Sequence, residues 1–290
     1  MPTAMPPVPA LQAYARAVQV APSLRLFAYI AGAPSAPPLV LIHGLGDEAD
    51  SWRHIFPLLA ERYYVIAPDL PGFGRSDQPR RAYTNAFFAQ TIAQLLTALA
   101  IPRATLVGSS MGAAIAQRLA LAQPERVERL VLLDGGLPLE QRLPSIGYGL
   151  FLLPGLGEAM YTSLRFSQDQ AYNTLAPYYA NLAGLPAEDR AFLRDRVWAR
   201  VWQRGQRRAF LSALRWFAIE SIFRLPTLRQ RLPALHTPTL LLWGEQDQIV
   251  PSITGEALAR ILPNARLAIL PNAGHLPHQE QPAAVVRAIG

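Results

Sequence analysis

The sequence predicts an α/β fold, in which a mostly parallel sheet is covered by helices on both faces and one helical segment is inserted. Three observations predict it. Short apolar runs bounded by Gly, Pro and Asp alternate with segments of helical periodicity over most of the chain. The alternation is interrupted once, from about residue 137 to residue 235. The chain has 290 residues, 51% of them hydrophobic, which is enough for one α/β domain that carries such an insertion.

The apolar runs predict seven strands, and the periodic segments between them predict helices. The predicted strands are Leu24–Ile30, Pro38–Ile42, Tyr64–Ala67, Ala104–Val107, Val127–Leu133, Thr239–Trp243 and Leu267–Leu270. The predicted helices include Ser51–Ala60, Thr84–Ala100, Met111–Ala122 and Ser252–Ile261. Strands that alternate with helices in this way form parallel sheets that are buried on both faces.

The interruption is helical in pattern and rich in aromatic residues, and we interpret it as a cap, or lid. The predicted organisation is therefore a core in two parts, residues 1–136 and 236–290, with the cap at residues 137–235. Aromatic side chains over a polar site would make a concave, mostly apolar pocket for a small molecule. The predicted pocket residues are Tyr148, Phe151, Tyr161 and Trp216. For any one of them, the alternative is a place in the core of the cap itself.

Composition excludes several classes of function. The net charge of +7 comes from arginine alone, and the arginines form no basic run with interleaved aromatics, so no nucleic-acid partner is expected. The absence of cysteine excludes disulfides, thiolate metal sites and cysteine nucleophiles. The beginning of the chain does not resemble a secretory signal, so a cytoplasmic protein is expected. The most apolar stretch, residues 145–161, is broken by Gly and Pro and predicts no membrane span. Nothing in the sequence predicts an oligomeric state.

The stretch LVGSSMGAA centres Ser110 in a Gly-x-Ser-x-Gly pentapeptide between a predicted strand and a predicted helix. A serine on such a tight turn needs small neighbours, and Gly108 and Gly112 supply the room. The turn lies at the carboxyl end of a strand, where open α/β sheets bind ligands. The alternative is that the glycines only shape the turn and Ser110 caps the helix.

A serine nucleophile needs a base, and the base needs an orienting carboxylate. Asp247 follows the strand Thr239–Trp243, and His275 follows the strand Leu267–Leu270, so both are expected at the same sheet edge as Ser110. His278 is a second candidate base, but we expect it to be a rim residue. The two histidines are three residues apart in a Pro-containing loop, which is weak evidence for zinc. We expect no metal and no cofactor.

The order Ser110, Asp247, His275, together with the pentapeptide, resembles the α/β-hydrolase superfamily. The segments LIHGLGDEADSW, from Leu41, and APDLPGFGRSDQP, from Ala67, are also similar to that family. The resemblance implies a predominantly parallel eight-stranded sheet with a cap inserted after the sixth strand. It also implies an oxyanion hole formed by the backbone N–H groups of Leu45 and Met111.

The resemblance assigns further polar residues. It makes His43 a structural residue of the oxyanion loop, and it leaves Asp134 as a competitor of Asp247, because some members place the acid after the strand that follows the nucleophile. Asp69 is expected to form structural hydrogen bonds, and Asp47 is read as a solvated charge.

The function predicted is a serine hydrolase that cleaves an ester or similar acyl bond of a small to medium apolar substrate through an acyl-enzyme. A serine at position 110 argues against epoxide hydrolases and haloalkane dehalogenases of this fold, which use aspartate. One alternative is a meta-cleavage C–C bond hydrolase, although those enzymes commonly carry Asn and Trp where Ser109 and Leu276 stand. A receptor-like binding protein with little turnover is the alternative from another class.

Overall fold

The computed structural model describes residues 5–137, 146–223 and 225–290, with the backbone alone described at 146–148, 225, 226 and 228. Eight strands form one sheet in the order β1-β2-β4-β3-β5-β6-β7-β8. The strands are β1 Ala15–Ala21, β2 Leu24–Ala31, β3 Pro38–Ile42, β4 Tyr64–Pro68, β5 Ala104–Ser109, β6 Val127–Leu133, β7 Thr239–Gly244 and β8 Ala265–Leu270. β2 is antiparallel to both of its neighbours, β1 and β4, and the other pairs are parallel.

The predicted mostly parallel sheet is therefore confirmed, with one strand that the apolar runs did not predict. β1 is an edge strand, and its residues are mostly exposed or half-buried, with Val18 alone buried within it. Its sequence, ARAVQVA, lacks the continuous apolar run of a strand buried on both faces. An edge strand of this kind gives a weak signal because only one of its faces packs against the protein.

The helices of the described residues alternate with the strands as predicted, and a helical segment separates β6 from β7. The helices are α1 Phe56–Ala60, α2 Asn85–Ala98, α3 Met111–Ala122, α4 Ile146–Leu152, α5 Leu156–Ser163, α6 Gln168–Asn173, α7 Ala187–Trp202, α8 Arg204–Phe223, α9 Leu225–Arg231, α10 Ile253–Ile261, α11 Pro277–Glu280 and α12 Pro282–Ile289. We call the described residues from α4 to α9 the insertion. None of the helices in the described part of the chain is long and apolar enough to cross a membrane.

The helix predicted over Ser51–Ala60 is wrong in its extent. The structure has a 3₁₀ turn at Ala49–Trp52 and then the short helix α1. Pro57 explains the break, since proline lacks the N–H that would continue a helical ladder and is tolerated only in the first turn.

Two apolar clusters cover the two faces of the sheet. Along β3, Val40 and Ile42 belong to one cluster and Leu39 and Leu41 to the other, and every one of these side chains is fully buried. This alternation follows from the two-residue period of a strand. The parallel register aligns Ser109 with Leu133 and Leu133 with Leu242, so the loops that follow β5, β6 and β7 leave the sheet side by side.

Candidate active site

Ser110 lies on a strained turn between β5 and α3. Its backbone has φ of 54° and ψ of −117°, a left-handed conformation that L-residues seldom adopt. The turn is held by a 2.8 Å hydrogen bond from the Ser110 N–H to the Leu133 carbonyl. A Cβ on Gly112 would overlap the carbonyl oxygen of Ile42, and one on Gly108 would overlap the backbone of Gly112. The pentapeptide glycines thus permit the close approach of α3 to the sheet.

Asp247 and His275 form a buried pair at the same sheet edge. His275 Nδ1 lies 2.8 Å from Asp247 Oδ2, and the two residues are 1% and 7% exposed. The other oxygen of Asp247 accepts the N–H groups of Ile249 at 2.8 Å and Val250 at 2.9 Å. His275 Nε2 is buried and makes no hydrogen bond to the described residues. The Asp247 contact fixes the ring and leaves Nε2 available for a proton.

The insertion holds the loop that carries His275. The N–H of His275 donates to the carbonyl of Tyr178 at 2.9 Å, and the ring of Tyr178 stands edge-on to the imidazole with centroids 5.6 Å apart. Glu280 accepts the N–H of Gly274 at 2.7 Å and that of Ala180 at 2.8 Å, so one carboxylate joins the loop to the insertion. Burial raises the pKa of Glu280 despite these two donors.

The loop after β3 contacts the nucleophile turn. A Cβ on Gly44 would lie 3.3 Å from Ser110 Cβ, so Leu45 is next to a residue in contact with Ser110. The N–H of Met111 belongs to the first turn of α3, where helix geometry leaves backbone donors without intrahelical partners. Both predicted oxyanion donors therefore belong to segments that flank Ser110.

His43 joins this loop, through hydrogen bonds, to the segment that follows β4. Its Nε2 accepts the N–H of Leu70 at 2.9 Å, which leaves the proton on Nδ1 to be donated to the carbonyl of Gly44 at 2.8 Å. Burial lowers the pKa of His43, so the ring is neutral. The hydrogen bonds of His43 are thus all made to backbone groups.

Three side chains of the insertion hold the other end of the same loop. Arg200 donates two hydrogen bonds to the Glu48 carboxylate, each 2.7 Å long, and a third, 2.5 Å long, to Asp47. Gln206 Nε2 donates to the carbonyl of Gly46 at 3.3 Å. The ring of Phe210 packs on Gly46, where a Cβ would come within 3.1 Å of it. The interpretation of Asp47 as a solvated charge is therefore wrong, because its side chain is only 15% exposed and pairs with the guanidinium of Arg200.

Asp134, the competing acid, lies directly behind the Asp247–His275 pair. It is fully buried, its backbone is left-handed with φ of 50°, and its Oδ1 accepts the N–H of Gly244 at 2.7 Å. One ligand atom from each of Asp134, Asp247 and His275 lies within 4.8 Å of the others. We assign this cluster to hydrogen bonding, since His275 and Asp247 already satisfy each other. Asp247, which makes the contact with Nδ1, occupies the position expected of a triad acid.

His278 is buried and is not the rim residue that was expected. Its ring stacks at 4.3 Å on Trp52, and its Nε2 lies 2.9 Å from the hydroxyl of Ser51. Burial lowers its pKa to about 3.

The other polar residues considered from the sequence lie away from the Asp247–His275 pair or make structural contacts. His54 contacts Asp189 at 2.9 Å, and His236 is exposed. Asp69 makes structural hydrogen bonds, as expected, among them one from the N–H of Ala49 at 2.7 Å.

The predicted pocket residues occupy different environments. Tyr161 is buried, with a pKa raised by burial to about 12, and its ring lies 5.4 Å from that of Phe210. Phe151 also contacts Phe210, at 6.4 Å, whereas Trp216 is 37% exposed. The side chain of Tyr148 lies outside the described residues. Phe210, which joins these rings to the loop after β3, was not singled out from the sequence, because only its contact with Gly46 distinguishes it.

The fold and the arrangement at the sheet edge define a hydrolase of the α/β class. The chain belongs to the alpha/beta hydrolase fold family, whose profile matches residues 37–282. It is 31% identical over 266 residues to the 2-hydroxymuconate semialdehyde hydrolase of Pseudomonas sp. (strain CF600), covering 87% of this chain and 85% of that protein.

Solved structures show the same relationship. A 2-hydroxy-6-oxo-6-phenylhexa-2,4-dienoate hydrolase from Rhodococcus sp. strain RHA1 is similar with a TM-score of 0.77 and 25% identity, over 95% of this chain and 96% of that one. A bacterial membrane phospholipase A is similar with a TM-score of 0.72 and 28% identity, over 95% and 84% of the two chains. The relatives thus include hydrolases named for different substrates.

Proposed function

We propose that this chain is a serine hydrolase that cleaves an ester or similar acyl bond of a small to medium apolar substrate. Ser110 is the nucleophile, His275 the base and Asp247 the acid that orients the base. The observation that carries the proposal is the 2.8 Å contact between His275 Nδ1 and Asp247 Oδ2, beside which the buried Nε2 has no hydrogen-bond partner among the described residues. A histidine held in this way can only take its next proton on Nε2.

We expect these residues to act in the order of an acyl transfer. Ser110 Oγ attacks the carbonyl carbon while His275 Nε2 takes its proton, and Asp247 stabilises the imidazolium that forms. The backbone N–H groups of Leu45 and Met111 donate to the developing oxyanion. His275 returns the proton to the leaving group, and a water molecule then hydrolyses the acyl-enzyme by the same route in reverse.

The aromatic contacts of the insertion support an apolar substrate. Phe210 packs on Gly46, beside the proposed oxyanion donor Leu45, and it also contacts Phe151 and Tyr161. Apolar walls with a few polar groups are the usual composition of a small-molecule site. We therefore expect apolar acyl groups to be preferred to charged ones.

The triad is tested with a fluorophosphonate probe and a short-chain aryl ester. We expect the wild type to be labelled and to show an acyl-enzyme burst, and Ser110→Ala to lose both while remaining folded. Asp247→Asn is expected to slow turnover by about 10⁴-fold because the histidine tautomer is lost. Substantial esterase activity in Ser110→Ala would contradict the assignment of the nucleophile. Specific ligand binding without labelling or burst in the wild type would favour a receptor-like protein.

Cleavage of a C–C bond is the second candidate, and the named relatives favour it. The 2-hydroxymuconate semialdehyde hydrolase is 31% identical to this chain. Ser109, which stands where such hydrolases commonly carry Asn, is buried and its hydroxyl makes no hydrogen bond to the described residues. The two candidates separate by comparing kcat/KM for 2-hydroxymuconate semialdehyde with that for apolar aryl esters. A higher value for the semialdehyde would replace the ester proposal with this one.

A further inference from the structure

Asp134 is a buried carboxyl group that the proposed mechanism does not use. It is fully buried behind the Asp247–His275 pair, directly after the last residue of β6, and its own backbone is left-handed. A Cβ on the next residue, Gly135, would overlap the backbone of Ser110. Asp134 is therefore packed into the strained turn region of the site and has no room to move towards solvent.

In the described part of the chain, only one of the two carboxyl oxygens of Asp134 accepts a hydrogen bond, which indicates that the other oxygen carries a proton. Oδ1 accepts the N–H of Gly244 at 2.7 Å, but Oδ2 is buried and receives no hydrogen bond from any donor of the described residues. The titratable groups that face Asp134 are Asp247, His275 and Glu280, and no salt bridge to Asp134 is formed among the residues that the structure describes. An ionised Asp134 would thus be a buried charge beside a second carboxylate, with nothing to neutralise it.

We propose that Asp134 carries a proton and donates it to the carboxylate of Asp247, so that the two residues share one proton behind His275. Two carboxyl groups in one buried site cannot both ionise at low cost, and one of them keeps its proton. Asp247 is the ionised partner, since its two oxygens already accept two backbone N–H groups and His275 Nδ1. Burial and the charge of Asp247 raise the pKa of Asp134 well above its usual range, in agreement with this assignment.

Asp134 is then a positioning residue that acts through Asp247. Its hydroxyl would hold the carboxylate in the orientation that receives His275 Nδ1. The effect of Asp134 on turnover rests on the proposed function, whereas the presence of the proton does not. If Asp247 is replaced by Asn, the charge that opposes ionisation of Asp134 most directly is removed, although burial and Glu280 still oppose it. We expect an Asp134 carboxylate to replace part of the lost charge.

The proton is tested directly by infrared difference spectroscopy of the wild type and Asp134→Asn at neutral pH. We expect the wild type to show the carbonyl band of a protonated carboxyl group, shifted in D₂O and absent from the variant. Carboxylate bands in its place would overturn the proposal, whatever the activity. If Asp134→Asn does not fold, ¹³C NMR of wild-type protein labelled at the aspartate carboxyl carbons gives the same answer. One carboxyl that stays protonated through neutral pH is expected, and none would overturn the proposal.

Activity tests the positioning role. Asn can accept the Gly244 N–H and donate to Asp247, so Asp134→Asn is expected to stay within about threefold of the wild type in kcat. Asp134→Ala removes both bonds and is expected to lower kcat about tenfold, the cost of one hydrogen bond to a charged group. The double variant Asp134→Asn/Asp247→Asn should have a lower kcat than Asp247→Asn alone. A collapse in Asp134→Asn alone would make Asp134 the ionised triad acid and overturn the assignment.

Discussion

Burial decides the charge of the single residues around the candidate site. His43 and His278 are both fully buried, and burial lowers the pKa of each, to about 3 for His278. The partners of His43 are a backbone N–H and a carbonyl, and the partner of His278 is a serine hydroxyl. The Gly44 carbonyl favours a charged His43, but the effect of burial is larger. Both histidines are therefore neutral in the folded protein under conditions in which an unfolded chain would begin to protonate them.

This difference predicts a loss of stability in acid. An unfolded histidine binds a proton near pH 6.5, whereas folded His278 does so only near pH 3, so between these values the unfolded state holds more protons. The free energy of unfolding must fall as the pH falls through that window, by about 1.4 kcal/mol per pH unit for one such residue. We expect His278→Asn to reduce the slope of unfolding free energy against pH, measured by urea denaturation. The control is His236→Asn at an exposed site, and equal slopes in all three proteins would contradict the prediction.

The sequence could not have given these charge states, although it identified the residues. His278 is three positions from His275 in the same loop, and the contact that buries it comes from Trp52, more than two hundred residues earlier. The role of the pentapeptide glycines was predictable from the strand–turn–helix pattern around them, although the contact that excludes a side chain at Gly112 comes from Ile42. The environments of His278, Asp47 and Asp134 were not, because each depends on groups that only the fold brings together.

At the scale of elements, α7 and α8 of the insertion are tied to the loop after β3 by buried groups. Arg200 contacts Asp47 and Glu48, and Glu48 is fully buried. Arg196 also lies 3.5 Å from Glu48, so the loss of Arg200 would remove the two-hydrogen-bond contact and leave Glu48 with one cationic partner among the described residues instead of two. The contacts of Arg200, a residue of the insertion, therefore hold in place the loop after β3, which contains the proposed oxyanion donor Leu45.

We expect Arg200→Gln to lower kcat by up to about 10²-fold, with a smaller change in KM, since a misplaced oxyanion donor weakens the transition state more than the bound substrate. Arg200→Lys keeps the charge but loses the two-pronged geometry, so it should fall between the wild type and Arg200→Gln. The measurements are kcat and KM for an aryl ester at temperatures where denaturation curves show each variant to be folded.

Arg194 provides the matched control for Arg200. It lies on the same helix, is partly exposed, and pairs with Asp169 inside the insertion. Arg194→Gln should leave kcat unchanged. If Arg200→Gln behaved like Arg194→Gln while folded, the loop would be held without Arg200, and the coupling between α7 and the loop would be refuted.

At the scale of the whole molecule, seven of the eight strands could be predicted from the sequence, and the edge strand β1 could not. The central strands β3 to β7 were predictable because strands that bury both faces have continuous apolar sequences, and the antiparallel β2 and the edge strand β8 were predicted from apolar runs as well. The strand β1 was not predicted because it is a half-exposed edge strand. The helix predicted over Ser51–Ala60 is too long because Pro57 interrupts it. Aromatic residues of the insertion were recognisable as a group, but their individual roles depend on which of them reach the core.

Selectivity for the acyl group depends on more than one part of the molecule, because Phe210 of the insertion packs against the loop after β3. Burying one more methylene of an acyl chain stabilises a complex by about 0.8 kcal/mol, or about fourfold in kcat/KM. We expect kcat/KM of the wild type to rise with acyl length until the apolar space is filled, and Phe210→Ala to flatten or shift this profile. Phe166→Ala is the control, since Phe166 belongs to the same insertion but is 87% exposed. The same change in both variants, or equal acceptance of charged acyl groups by the wild type, would mean that the aromatic residues of the insertion serve only its own core.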